Sequence, residues 1–161
     1  MALFKRKTKD INIYSPMDGE VHSITETDDK AFASQMMGDG VMIRPTEGTV
    51  YAPCDATVEM IFPTKHAMGL RLKDQTAILL HFGLDTVELN GKGFEVFVES
   101  GQKVSQGDPL MKGNLAYLKE HAKDNCLIVV FTEINEERKL SYKNGSFTHE
   151  DIIAEITTIK D

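Results

Sequence analysis

Two histidines, His66 and His81, flank one polar turn in this chain. Phe62-Pro63-Thr64-Lys65-His66 leads into an apolar run. Lys73-Asp74-Gln75 supplies a turn, and Leu79-Leu80-His81-Phe82-Gly83-Leu84-Asp85 follows. Paired imidazoles can pass a phosphoryl group, bind a metal, or act as acid and base. The chemistry depends on whether the two rings meet.

If residues 67–72 and 76–82 form a hairpin, the turn decides this. A two-residue loop at Lys73-Asp74 sets His66 directly across from His81. A loop at Asp74-Gln75 makes them diagonal neighbours. Direct pairs have Cβ atoms ~5 Å apart and diagonal pairs ~7 Å. A slip of one residue sends the imidazoles to opposite faces and removes the site. The sequence therefore predicts one of the first two registers.

The elements around the pair read as strands. Short β-type runs at 11–14, 20–23, 41–44, 49–51, 57–62, 67–72, 76–82 and 94–98 alternate with Gly, Pro and Asp. Such spacing predicts an all-β fold, an antiparallel β-sandwich or barrel, with one or two short helices. Residues 76–82 are apolar on both faces, which predicts a central strand. Residues 126–132 predict a buried strand and 152–159 a late one. One helix is predicted over 115–122, with Asn114 as its N-cap. Tyr14-Ser15-Pro16-Met17-Asp18-Gly19-Glu20-Val21 is echoed by Tyr51-Ala52-Pro53-Cys54-Asp55-Ala56-Thr57-Val58. This predicts a duplicated strand–turn–strand motif with no site of its own. Residues 101–110 form a third turn of that kind.

Length and charge set the limits. The 161 residues suffice for one domain, predicted over 11–161. Residues 1–10 predict a flexible basic tail, with four Lys/Arg and one Asp. The rest of the chain holds 14 basic against 24 acidic residues, so nucleic acid is not an expected partner. No apolar run reaches the ~18 residues that span a membrane, and no secretory signal is visible. A contact of Leu3, Phe4 and the tail lysines with a membrane surface would be peripheral only. Cys54 and Cys126 form no CxxC pattern, and free thiols fit a cytoplasmic protein. A Met start without spans predicts a freestanding chain, with monomer as the default.

The motifs around the histidines carry a resemblance. Met37-Gly38-Asp39-Gly40-Val41-Met42-Ile43, Phe62-Pro63-Thr64-Lys65-His66-Ala67 and Leu79-Leu80-His81-Phe82-Gly83-Leu84-Asp85-Thr86-Val87-Glu88-Leu89-Asn90-Gly91 are its substance. The chain resembles the glucose-family enzyme IIA of the bacterial phosphoenolpyruvate-dependent sugar phosphotransferase system, from about residue 14 to 132. Gln75 and Ala77 stand where that family often has Gly and Glu.

The resemblance implies a phosphotransferase component working through a phosphohistidine, with no cofactor. It implies His81 as phosphoryl acceptor through Nε2 and His66 as phosphate stabiliser. Thr64 would orient His66, the backbone of Gly83 would hold His81 Nδ1, and Asp85 would sit at the rim. Phe32, Met36, Met37, Phe62, Leu79 and Val87, with Asp29, would form the partner-binding face. Implied partners are the histidine phosphocarrier protein and the IIB domain of a sugar-specific membrane transporter, with regulatory targets as further candidates.

Two other classes compete. A zinc peptidase on a related β fold would need a His-x-His element, which is absent from the sequence. Zinc bridging His66, His81 and a partner's carboxylate is an accessory such a pair allows; the implied chemistry requires no metal. A regulatory binding module would carry no phosphoryl group. His22, His121 and His149 lack matching neighbours and read as structural or surface residues.

Overall fold

Among the described residues, eleven ladders of antiparallel pairing build three sheets. The computed structural model describes residues 9–159. The predicted tail contact of Leu3 and Phe4 lies outside them. The strands are β1 (Ile11–Tyr14), β2 (Gly19–Ser23), β3 (Asp39–Pro45), β4 (Thr49–Tyr51), β5 (Ala56–Ile61), β6 (Ala67–Arg71) and β7 (Ala77–Leu84). They continue with β8 (Phe94–Val96), β9 (Lys103–Val104), β10 (Pro109–Gly113), β11 (Asp124–Glu133), β12 (Arg138–Tyr142), β13 (Gly145–Phe147) and β14 (Ile152–Thr158). Two short helices, α1 (Lys30–Ala33) and α2 (Leu115–His121), interrupt them. Asn114 caps α2 by accepting from the Tyr117 amide. The architecture is the β-sandwich that the strand spacing predicts.

The sheet orders reveal more symmetry than the sequence echo. The large sheet runs β13-β2-β3-β11-β7-β6-β5-β9, and the small ones run β1-β14-β12 and β4-β10-β8. Exchanging β2 for β5, β3 for β6, β11 for β7, β13 for β9, β1 for β4, β14 for β10 and β12 for β8 reproduces the same arrangement. The hydrogen bonds obey the exchange. The Tyr14 amide donates to the Pro53 carbonyl at 2.8 Å, and the Tyr51 amide to the Pro16 carbonyl at 2.7 Å. Asp55 Oδ1 accepts from the Gln106 amide, and Asp18 Oδ1 from the His149 amide. The chain is thus two half-sandwiches related by a pseudo-two-fold axis between β7 and β11.

Those two strands are covered on both faces, as their apolar runs require. Ile78, Leu80 and Phe82 of β7 join Leu127, Val129 and Phe131 of β11 in the main core. On the opposite face Leu79 and Leu84 meet Cys126, Ile128 and Val130 in a smaller core. Ile24 and Phe32 close that second core. Phe32 sits on α1, a helix too short to persist alone. Burying its ring, 6% exposed, contributes roughly 1.5–3 kcal/mol and seats the helix. Both cysteines are free and buried.

Candidate functional site

The hairpin of β6 and β7 does not adopt either predicted register. Its loop has three residues, because Leu72 donates to the Thr76 carbonyl and Gln75 to the Leu72 carbonyl. Gln75 closes the loop in the left-handed region at φ 72°, the conformation a glycine there would favour. Asp74 Oδ1 accepts from the Thr76 amide and braces the turn. His81 therefore lies opposite Ala67, and His66 falls opposite Phe82, whose amide donates to its carbonyl. Strict alternation would then send the imidazoles to opposite faces.

The rings meet nevertheless, with centroids 4.8 Å apart in an edge-to-face arrangement. The reason is local. His66 precedes β6 and belongs to a four-residue turn closed by the bond from the Phe62 amide to the Ala67 carbonyl. Within it, Pro63 takes the second position of a β-turn over 62–65, closed by the Lys65 amide donating to the Phe62 carbonyl, where its fixed φ fits. Lys65 adopts φ 61°, which releases the next side chain from the strand's alternation. The turn, not the ladder, aims His66.

Each ring is held at Nδ1. Thr64 Oγ1 is 2.8 Å from His66 Nδ1, and the Gly83 carbonyl oxygen is 2.9 Å from His81 Nδ1. Gly83 reaches this position at φ 83° and Asp85 follows at φ 60°. His66 is buried at 2% exposure, while His81 is half-buried. The two are walled by aromatic rings: Phe62 lies 5.4 Å from His66, and Phe32 lies 5.1 Å from His81. Asp29 caps α1 through Oδ1, accepting from the Ala31 and Phe32 amides. Its charge also reaches His81.

The remaining candidates spread around this pair. Met36, Met37 and Val87 are exposed at 82%, 41% and 50%. Phe62 and Leu79 are half-buried, and Asp85 is exposed. Phe32 lies in the small core. Helix α1 was not legible as an element, although Asp29 ahead of Lys30-Ala31-Phe32 is a fair N-cap signal. Among the described residues no third His, Cys, Asp or Glu completes a metal-ligating group. His149 pairs with Asp18 and stacks on Tyr51, and His121 stacks on Tyr117.

Burial, aided by the neighbouring His81, pushes the His66 pKa from its ordinary 6.5 down to about 4. Burial also lowers His81, partly offset by its bond to Gly83. Both rings are therefore neutral at pH 7. The sign for stability follows. Unfolded His66 takes a proton that folded His66 refuses. Its contribution is complete above pH ~6.5 and is lost as the pH falls towards 4. The loss amounts to about 3 kcal/mol for a shift of that size. Chemical denaturation at pH 7 and pH 4 should show a smaller difference for His66→Gln than for the unaltered protein. Equal differences would mean that His66 is not buried neutral.

The family described as "phosphoenolpyruvate-dependent sugar phosphotransferase system, EIIA 1" matches residues 11–137. The chain belongs to this family. It is 50% identical over 123 residues to the PTS system glucose-specific EIICBA component of Staphylococcus carnosus (strain TM300), covering 76% of this chain and 18% of that protein. It is also 50% identical over 120 residues to the glucoside-specific EIICBA component of the same strain, covering 74% of this chain and 17% of that protein. The chain thus spans less than a fifth of the length of these curated relatives. Among solved structures, the glucose permease IIA from Mycoplasma capricolum superposes with TM-score 0.87 at 36% identity. That match covers 92% of this chain and 96% of the other. The chain is accordingly an EIIA-type component of the sugar phosphotransferase system by family. Among its described residues no helix is long and apolar enough to cross a membrane.

Proposed function

We propose that His81 accepts a phosphoryl group from a histidine phosphocarrier protein and that His66 helps pass it to the IIB domain of a sugar transporter. One observation carries this reading: two imidazoles in contact, each anchored at Nδ1 and each left with Nε2. The inequality of the rings supports the assignment, since the half-buried His81 can be reached by a partner and the buried His66 cannot.

A neutral His81 with its proton on Nδ1 has its lone pair on Nε2. That nitrogen attacks phosphorus; the new P–N bond forms as the carrier's breaks, and the carrier's ring leaves with the electron pair. The reaction needs positioning and charge stabilisation more than covalent machinery. The phosphoryl group brings up to ~2 negative charges. His66 answers them with a hydrogen bond from Nε2, provided that Thr64 donates its hydroxyl proton to Nδ1. The added anion also favours protonation of His66, which strengthens the bond.

Met36, Met37, Val87 and Phe62 would form the apolar docking rim, with Phe32 and Leu79 behind them. Adaptable Met side chains suit one face that meets two partners. Asp29 and Asp85 would meet basic groups of the phosphocarrier and speed association. These partners act in the cytoplasm, where the free thiols of Cys54 and Cys126 stay reduced. The curated relatives are named glucose- and glucoside-specific, and the sugar would be chosen by the transporter rather than by this chain.

The test is reconstitution with phosphoenolpyruvate, the upstream enzyme and the phosphocarrier. The expected product carries one phosphoryl group that is labile to acid and stable to base. Unchanged mass would end the proposal. Thr64→Val keeps the shape of the side chain and removes its hydroxyl. Onward transfer, followed by rapid quench with the IIB domain, should slow by about tenfold, the worth of one hydrogen bond of ~1.4 kcal/mol. A variant as fast as the original would mean that His66 needs no orienting partner.

A further inference from the structure

The acceptor histidine sits on an unusual piece of backbone. Gly83 and Asp85 both have positive φ, at 83° and 60°. A strand that bends this way right after His81 must be held, or the Gly83 carbonyl would drift off His81 Nδ1. The residue that holds it lies underneath.

Thr86 is fully buried. Its hydroxyl donates to the Phe82 carbonyl at 2.7 Å. Its Cγ2 packs so closely beneath Gly83 that a Cβ there would collide with it. One side chain thus grips both sides of the bend: Oγ1 fixes the peptide between Phe82 and Gly83, and the methyl supports the Gly83 α-carbon. The start of β11 also meets the bend: the Asp124 carbonyl lies near Gly83, and the amide of Lys123, just before the strand, donates to the Leu84 carbonyl.

We propose that Thr86 is a positioning residue for phosphoryl transfer, fixing the Gly83 carbonyl that keeps the His81 proton on Nδ1 and the lone pair on Nε2. The inference rests on the reading that His81 is the acceptor. Its physical content is a tautomer ratio. If the carbonyl rotates away, Nδ1–H loses its acceptor and the proton becomes free to sit on Nε2, where it blocks attack. Thr86 has no access to a partner, so its loss should lower turnover and leave recognition unchanged.

The experiment uses the full chain labelled with ¹⁵N-histidine, unphosphorylated and near neutral pH. The original protein should show His81 as a single Nδ1–H tautomer. Thr86→Val keeps the methyl support and removes the hydroxyl. It should give a mixture of tautomers and a kcat for phosphorylation by the phosphocarrier lowered at least about tenfold, with KM unchanged. Thr86→Ser restores the hydroxyl and should return the single tautomer, with kcat within about twofold of the original. A folded Thr86→Val that keeps the single tautomer overturns the proposal. So does a Thr86→Ser that loses it, which also decides the matter if the valine variant does not fold. The NMR measurement needs no partner. A tautomer shift with no change in phosphorylation rate would therefore count against His81 as acceptor and not against the link from Thr86 to His81.

Discussion

His81→Ala should leave a folded protein that takes up no phosphoryl group. His81 is half-buried and its strand pairing to Ala67 and Ile128 runs through the backbone, so alanine keeps the ladder. The stability cost should stay near 1 kcal/mol, typical of a single substitution outside the main core. The chemical cost should be complete. His66 cannot take over, because it is 2% exposed and lies behind the position a partner would reach. Intact mass after incubation with phosphoenolpyruvate, the upstream enzyme and the phosphocarrier reads the result. Full phosphorylation of the variant would move the acceptor elsewhere.

His66→Gln should separate the two halves of the relay. Glutamine can still donate a hydrogen bond to the phosphoryl oxygens, so His81 should still be phosphorylated. In the proposed mechanism, hand-on begins from the phosphorylated state, in which the new anion would draw a proton onto His66. A glutamine cannot take that proton. Loss of one well-placed electrostatic donor typically costs 10²–10³ in rate, and onward transfer should slow by about that factor. The measurement mixes phosphorylated variant with the IIB domain and follows loss of label from His81. Wild-type speed in that step would remove His66 from the mechanism.

The sequence carried the site better than it carried the geometry that makes it. Short strand-like runs located the sandwich, continuous apolar runs the central β7 and β11, and helical spacing with a cap the helix α2. These signals could not deliver the hairpin loop, because Gln75 bears no mark of a left-handed turn residue and a loop of two or three residues changes every pairing by one. The predicted registers would have paired the rings on one face, whereas the observed one, by strand rules alone, would place them on opposite faces. The turn at Phe62-Pro63-Thr64-Lys65 overrides that rule, through backbone angles at Lys65 that its residue type does not favour. Helix α1 is too short to show a period. β14 was legible as a late strand, but β12 and β13 were illegible for a different reason. Both are short edge strands: β12 turns the buried Arg138 inward beside Leu140 and Tyr142, and β13 is mostly exposed, so neither shows a clear apolar alternation. The duplication showed in one motif only, since 105–108 and 148–151 share little more than a hydroxyl residue and Asp108 or Asp151. Those aspartates nevertheless make equivalent bonds, to the amides of Ser105 and Thr148.

The pseudo-two-fold also shows what stands in the places of the two histidines in the other half. Carried across the matched registers, His66 corresponds to Asp39 and His81 to Val130. Asp39 spends Oδ1 on Gln35 and the Gly40 amide, so the mate of the relay is sealed. The two halves differ in connectivity as well. The half with both histidines, 49–113, is one unbroken stretch, whereas its mate is assembled from segments before and after it. The first needs only short loops to close, and the second must bring the chain's two ends together across the finished partner, at greater entropic cost. The order of assembly is thereby written into the topology: the half with both histidines can serve as the template on which its mate condenses.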